Sequence, residues 1–178
     1  MTTNYQSIWI ETGYEMFAMS GQQGLKIERL ARKVGISKSS FYHHFADMDI
    51  FIDCLLDYHL QQAFVIAKKE EQCQNVDPEL IHILVEHKID LLFNRQLRIQ
   101  REQKIFDEIL IKSNQIVGDS FVRIWIKDLN LKLNKKQLEG IFELALENFY
   151  LQITLEHLNP VWLSKYFSNL KKIAANFA

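Results

Sequence analysis

Residues that interrupt regular structure are scarce in this chain, which has only 6 glycines and 2 prolines among its 178 residues. A β-sandwich needs turn residues every few positions, so this scarcity disfavours that class and favours long helices. Cysteine is equally scarce, and Cys54 and Cys73 form neither a CxxC pair nor a Cys/His spacing typical of metal ligands. We therefore expect two thiols in a reducing compartment and no metal site.

Long apolar runs and an excess of one charge sign are missing too. No stretch reaches 18 apolar residues without a charge, and no basic segment followed by an apolar run opens the chain. We therefore expect a cytoplasmic protein without a signal peptide or a membrane span. The 21 Lys and Arg nearly balance the 22 Asp and Glu, which does not exclude DNA binding because a local basic patch is enough. The GxSxG, P-loop, HExxH and GxGxxG signatures are absent, so we expect neither an enzyme nor a cofactor.

Caps and breakers divide the chain into about nine helices and leave no credible strand, which predicts an all-α fold. Gly21 and Gly35 are placed as C-terminal caps, Asp47 as an N-cap, and Asn134 with Gln137 as a capping box. The dipeptides Asp77-Pro78 and Asn159-Pro160 each predict a helix start. The predicted helices cover about 5–20, 26–34, 37–44, 48–69, 77–93, 95–131 with a break at Gly118, 135–157, and 160 to the C-terminus.

The segment GLKIERLARKVGISKSSFYHHF, residues 24–45, has the pattern of a helix-turn-helix motif. Gly35 allows the positive φ that a sharp turn requires. The residues expected to pack this unit are Ile27, Leu30, Ala31, Val34, Ile36, Phe41 and Phe45. Those left facing outward are Lys38, Ser39, Ser40, Tyr42, His43 and His44, all of which can donate hydrogen bonds.

The charge of this region agrees with contact to phosphate. Residues 1–46 hold five Lys or Arg and three acids, a net charge of +2, whereas the remaining residues have a net charge of −3. A mildly basic N-terminal segment (residues 1–46, the head) on an acidic remainder (residues 47–178, the body) suits a protein whose N-terminal segment contacts DNA. The alternative is that the outward side chains are merely the polar face of a solvated helix.

Residues 9–56 resemble the N-terminal DNA-binding domain of TetR-type (TetR/AcrR) transcriptional regulators, on the motif IERLARKVGISKSSFYHHF and an acid-capped fourth helix. The resemblance implies a DNA-binding domain in residues 1–46 and a helical ligand-binding and dimerisation domain in residues 47–178. Leu25 and Lys26 replace the usual Thr or Ser, and Met48 replaces a common Lys. By position, the resemblance implies base-edge contacts for Ser39, Ser40 and His43, and phosphate contacts for Lys26, Lys38, Tyr42 and His44.

The last two predicted helices are apolar on more than one face, which implies a partner surface. The resemblance makes this an isologous four-helix-bundle homodimer. The first of these two helices, predicted for residues 135–157, carries two apolar stripes. The second of its stripes comprises Leu144, Leu151 and Leu155. The residues predicted for the interface are Leu138, Ile141, Phe142, Ala145, Phe149, Ile153, Leu163, Tyr166, Phe167 and Leu170.

The fifth predicted helix places His87 in a leucine stripe, where it is either a hydrogen-bonded core histidine or a polar group that orients a ligand. Its polar stripe, Glu79, His82, Glu86 and Asp90, is expected to be solvated; His82 and Glu86 lack a third metal ligand. If the body has a pocket, its predicted lining is His87, Phe106, Phe121, Trp125 and Phe149, which suits a small apolar or aromatic ligand.

We interpret the chain as a dimeric DNA-binding regulator and a repressor. Its two recognition helices would enter major grooves about one helical turn apart, which predicts a pseudo-palindromic operator in double-stranded DNA. The resemblance implies that a ligand in the body favours a head separation that no longer fits both grooves. The alternatives are a regulator without a small-molecule ligand and a helical adaptor controlled by a protein partner.

Overall fold

The computed structural model describes residues 5–129 and 134–175, and all regular structure in these ranges is helical. The predicted all-α fold is therefore confirmed. A π-helical turn at Val76–Leu80 precedes the fifth α-helix. The α-helices are α1 (Tyr5–Gly24), α2 (Ile27–Val34), α3 (Lys38–His44), α4 (Met48–Glu71), α5 (Ile81–Glu86), α6 (Lys88–Ile99), α7 (Lys104–Leu129), α8 (Lys135–Gln152) and α9 (Pro160–Ala175).

Several helix ends lie where the sequence predicts them, because short polar side chains satisfy the first backbone N–H groups. Asp47 Oδ1 accepts a hydrogen bond from the Ile50 N–H at 2.9 Å, at the start of α4. Asn134 and Gln137 form the predicted capping box of α8. Asn159 Oδ1 accepts from the Trp162 N–H at 3.0 Å and opens α9.

Several predicted helix limits are wrong. Gly118 does not break α7, which continues from Lys104 to Leu129. The actual break precedes it, where the Gln103 N–H donates to the Gln100 carbonyl in a turn of good helix formers. Helix α8 ends at Gln152 rather than near His157. Gly21 has a positive φ of 64°, but α1 continues beyond it to Gly24, so this glycine marks a kink and not a cap.

The predicted helix start at Asp77-Pro78 is displaced by two residues. Asn75 is the N-cap, and its side chain accepts from the Glu79 N–H, whereas Asp77 is non-helical. The helix predicted to continue to residue 93 is interrupted at His87, whose φ of −99° and ψ of 27° separate α5 from α6.

The chain divides into two compact units. Unit 1 comprises Met1–Gln62 and Leu92–Ser113, and unit 2 comprises Ala63–Leu91 and Asn114–Ala178. In unit 1, the Phe93 ring stacks on Tyr14 at 4.3 Å and on Phe17 at 4.4 Å between ring centroids. In unit 2, Trp125, Ala145 and Ala174 form a buried cluster against Phe142 and other partly buried side chains. The predicted division at residues 46 and 47 stays a prediction.

Helix α4 is long and apolar enough to cross a membrane by length and composition alone, and it is the one such helix among the described residues. Its most apolar window has a mean hydropathy of 1.2 and is 44% buried. A core helix of a soluble protein meets the same criterion, so α4 alone is weak evidence for a membrane span.

Candidate nucleic-acid interface

The turn between α2 and α3 depends on a glycine in the left-handed region. Gly35 has φ 76° and ψ 20°, and its N–H donates to the Ala31 carbonyl at 2.9 Å. A Cβ at this position would meet no described atom within 4 Å, so the backbone conformation and not space requires glycine. This geometry ends α2 abruptly and allows α3 to begin three residues later, as the sequence predicts.

Four aromatic side chains fix the position of α3 in the N-terminal domain. Phe41, on the inner face of α3, is fully buried and lies 5.5 Å from Trp9 of α1, measured between ring centroids. The same ring lies 5.1 Å from Phe45 and 5.2 Å from Phe51 of α4. A Cβ on Gly13 would overlap the Phe51 ring, so α1 and α4 approach too closely for a larger residue. The outer face of α3 is therefore held by packing behind it.

The outer face of α3 is polar and open to solvent. Tyr42 is 56% exposed, and its ring and the buried Phe41 ring form an edge-to-face pair with 5.6 Å between ring centroids. Ser40 is half-buried, and Ser37 pairs with Ser39 through their hydroxyl oxygens at 2.9 Å instead of capping α3. The structure thus brings together on one short helix the exposed predicted residues Lys38, Ser39, Tyr42, His43 and His44.

The positions that depart from the TetR pattern have clear structural roles. Leu25 is buried, with 6% exposure, so it packs and does not face a ligand. Lys26 is the N-cap residue of α2 in extended conformation, without a side-chain capping hydrogen bond. The residue is exposed to solvent directly before the first residue of α2. Met48 begins α4 and is half-buried, while Asp47 caps the helix.

One of the three acids counted in residues 1–46, Glu28, lies at this surface, which the sequence did not predict. Lys38 Nζ donates to Glu28 Oε1 at 2.6 Å, and both side chains are about half exposed. The hydrogen bond from Lys38 lowers the pKa of Glu28, so the carboxylate is anionic at neutral pH. The residues predicted to face outward all lie in α3, so Glu28 of α2 was not among them.

The basic surface also extends further than the sequence analysis predicted. Side chains of α1 and α2 line an open groove with three cationic groups, in which Lys33 pairs with Glu15 at 3.0 Å. The predicted DNA-contacting set contained none of these three cations, because apart from Lys26 it was taken from the recognition helix. The groove is lined by Met16, Met19, Ser20, Arg29, Arg32 and Lys33.

The five residues predicted to line a ligand pocket are divided between the two units. Phe106 is buried in unit 1 against Phe17, whereas the other four belong to unit 2. Within unit 2, Phe121 and Phe149 each lie 6.4 Å from the Phe167 ring. Trp125 lies 5.6 Å from Phe142, which also contacts Phe121. The predicted role of these residues in ligand binding stays a prediction.

His87 has partners on both ring nitrogens inside unit 2. Lys69 Nζ lies 2.8 Å from Nε2, and Asp90 Oδ2 lies 2.8 Å from Nδ1. Because an ammonium group only donates, Nε2 accepts and Nδ1 carries the hydrogen that is donated to Asp90. Asp90 is buried, so the predicted solvated polar stripe is wrong at this position. Lys69 also donates to Glu86 at 2.7 Å, at the edge of the cluster.

The residues predicted for a dimer interface include core positions. Ala145, Phe149, Ile153, Leu163 and Phe167 are buried within the single chain. The other five (Leu138, Ile141, Phe142, Tyr166 and Leu170) are half-buried. By contrast, the second stripe is open to solvent, with Leu144 75% exposed and Leu151 77% exposed.

Comparison with known proteins gives a family match in the N-terminal segment. Residues 10–52 match the family described as bacterial regulatory proteins, tetR family. A crystal structure of a protein from Rhodococcus sp., assigned as a TetR-family transcriptional regulator, is 16% identical with a TM-score of 0.49. That similarity covers 95% of this chain and 97% of the other. No curated protein matches the chain.

The molecule is thus an all-α protein with an N-terminal helix-turn-helix domain. Residues 10–52 match the family of bacterial regulatory proteins, tetR family, in the segment where the sequence motif indicated it.

Proposed function

We propose that this protein is a homodimeric, sequence-specific DNA-binding transcriptional regulator, and that it acts as a repressor in the cytoplasm. Each α3 enters the major groove of one half-site of a pseudo-palindromic operator. Ser39, Ser40 and His43 contact base edges, whereas Lys26, Lys38, Tyr42 and His44 contact phosphates. A small apolar or aromatic ligand releases the repressor.

The observation that carries this proposal is the outer face of α3. A seven-residue helix is anchored by the buried Phe41 and preceded by a glycine-dependent turn, and it presents hydroxyl, imidazole and ammonium groups to solvent. These groups donate hydrogen bonds to phosphate and to base edges. The family match covers the same elements.

Selection of the purified protein against random duplex DNA tests the proposal. We expect enrichment of a two-fold symmetric site, with affinity that falls steeply as salt rises because bound Lys and Arg displace counterions from phosphate. A protein that enriches no sequence at low salt would contradict the function.

A regulator that responds to no small molecule, or a helical adaptor controlled by a protein partner, is the second candidate. The observation in its favour is that His87, the polar group predicted to orient a ligand, already has partners on both ring nitrogens. A screen of apolar and aromatic compounds against the DNA complex separates the candidates. Release by a compound supports the ligand-responsive repressor, and release only by a protein supports the second.

A further inference from the structure

Glu28 is the only acidic residue between Glu15 and Asp47, the stretch that contains both helices of the motif. Its carboxylate does not point to open solvent alone, because Oε1 accepts a hydrogen bond from Lys38 Nζ at 2.6 Å. Lys38 is the first residue of α3, and it directly precedes Ser39 and Ser40, which the proposed function places on base edges. The carboxylate therefore lies beside the part of the surface that would read sequence.

An anion at a DNA-binding surface needs a reason, since phosphate repels it. Glu28 lies in the first turn of α2, where the helix dipole favours an acid, and this accounts for a stabilising role. That role needs no contact with α3. The hydrogen bond from Lys38 holds the Glu28 carboxylate next to the recognition helix. The same hydrogen bond keeps the pKa of Glu28 below its ordinary value.

A carboxylate can only accept hydrogen bonds, and the four bases differ in what they offer it in the major groove. Guanine presents the acceptors N7 and O6, and thymine presents O4 and a methyl group. Adenine offers its N6 amino group beside the acceptor N7. Cytosine offers its N4 amino group without an adjacent acceptor, so it is the base that an anionic oxygen matches best.

We propose that Glu28 is a specificity-determining residue whose carboxylate accepts a hydrogen bond from the N4 amino group of one cytosine in each half-site. Lys38 is the positioning residue, since it holds the carboxylate beside α3. This inference rests on the proposed DNA-binding function and names a base that the outward residues of α3 do not predict.

Selection against random duplex DNA with the full-length wild type, Glu28→Ala and Glu28→Gln tests the inference. We expect the wild type to enrich cytosine at one symmetry-related pair of positions. Glu28→Ala should lose that preference, with roughly a tenfold loss in discrimination, while other positions keep theirs. Glu28→Gln should shift the preference towards adenine, because an amide both donates and accepts as the N6/N7 edge requires.

Glu15→Gln is the matched control, because Glu15 is an equally exposed acid of the same domain and pairs with Lys33. It should leave every base preference unchanged. Thermal unfolding of each variant separates a loss of α2 stability from a change in base preference, since a purely stabilising acid would not alter the selected sequence.

The outcomes distinguish this inference from the function on which it rests. If the wild type enriches a site but Glu28→Ala keeps all of its base preferences, the inference is overturned while the regulator remains. If Glu28→Ala binds all sequences more tightly and its base preference is unchanged, Glu28 only neutralises the charge of Lys38. That result would also overturn the inference. A wild type that enriches no site overturns the DNA-binding function itself.

Discussion

Tyr42 is the side chain of the recognition helix whose role follows most directly from its geometry. Its ring forms an edge-to-face pair with the buried Phe41 while the residue remains 56% exposed, so one contact anchors the ring and the residue stays open to solvent. We expect Tyr42→Phe to weaken binding to all DNA sequences by about 1.5 kcal/mol, because a hydrogen bond to a charged phosphate is lost. Fluorescence anisotropy with specific and unrelated duplexes measures the effect.

Tyr5→Phe is the control for this prediction, since Tyr5 is an exposed tyrosine at the start of α1, outside the α3 face. It should bind DNA as the wild type does. A loss confined to duplexes with one particular base would contradict a phosphate contact for Tyr42.

Glu70 is a buried acid whose protonation affects stability. Its side chain is 1% exposed, neither carboxyl oxygen has a hydrogen-bond partner among the described residues, and burial raises its pKa from 4.5 to about 8. Between these values the unfolded chain has released the proton while the folded chain keeps it. The free energy of unfolding should therefore fall as pH rises through this window, by at most about 1.4 kcal/mol per unit.

Glu70→Gln should remove this pH dependence, because the amide stays neutral at every pH. Urea unfolding at pH 5.5 and pH 7.5 measures it, with the exposed neighbour variant Glu71→Gln as the control. If Glu70→Gln and the wild type lose stability in parallel between these pH values, Glu70 does not titrate in the folded state as described.

At the scale of helices, sequence reasoning succeeded where a local interaction determines the end of a helix. The side chains of Asp47, Asn134 and Asn159 cap their helices as predicted, since each accepts from an N–H only three residues away. It failed at Gly118, where a helix-interior glycine costs about 1 kcal/mol, which the buried side chains of α7 outweigh. The break after α6 lies in good helix formers, so tertiary packing and not propensity sets it.

Gly35→Ala tests the turn between α2 and α3. Because φ is 76° and a Cβ would meet nothing within 4 Å, the only cost is conformational, and we expect a loss of about 1 kcal/mol in unfolding free energy. Gly140→Ala is the matched control, since Gly140 lies inside α8 with the same open space around it. There alanine should stabilise by about 0.5–1 kcal/mol. Guanidinium unfolding curves of both variants check the opposite signs, and equal shifts would contradict the explanation.

At the scale of the whole molecule, the sequence predicts the N-terminal domain far better than the rest. The helix-turn-helix motif has residues of fixed type at fixed spacing, so Gly35, Phe41 and Tyr42 could each be placed in advance. The last two helices are apolar on several faces, and periodicity alone cannot say which face packs internally. As a result, core residues such as Phe149 and Leu163 were included in the predicted interface.

The proposed homodimer should depend on the exposed stripe of α8. Leu144 and Leu151 lie seven residues apart on one helix face, and both are more than 70% exposed in the single chain. Burying two such leucines against a second copy stabilises a dimer by about 1.5–3 kcal/mol per side chain. We expect Leu144→Asp and Leu151→Asp each to give a folded monomer by sedimentation velocity, with weakened binding to a two-half-site duplex.

Two further variants make this result specific to the stripe. Ile99→Asp, at an exposed position at the end of α6, should leave the dimer intact. Phe149→Asp should unfold the protein rather than dissociate it, because that side chain is 7% exposed and its ring contacts Tyr166 and Phe167. Circular dichroism separates unfolding from dissociation. If both leucine variants remain dimeric, the subunit contact lies elsewhere, and the spacing between the two recognition helices must be set by another face.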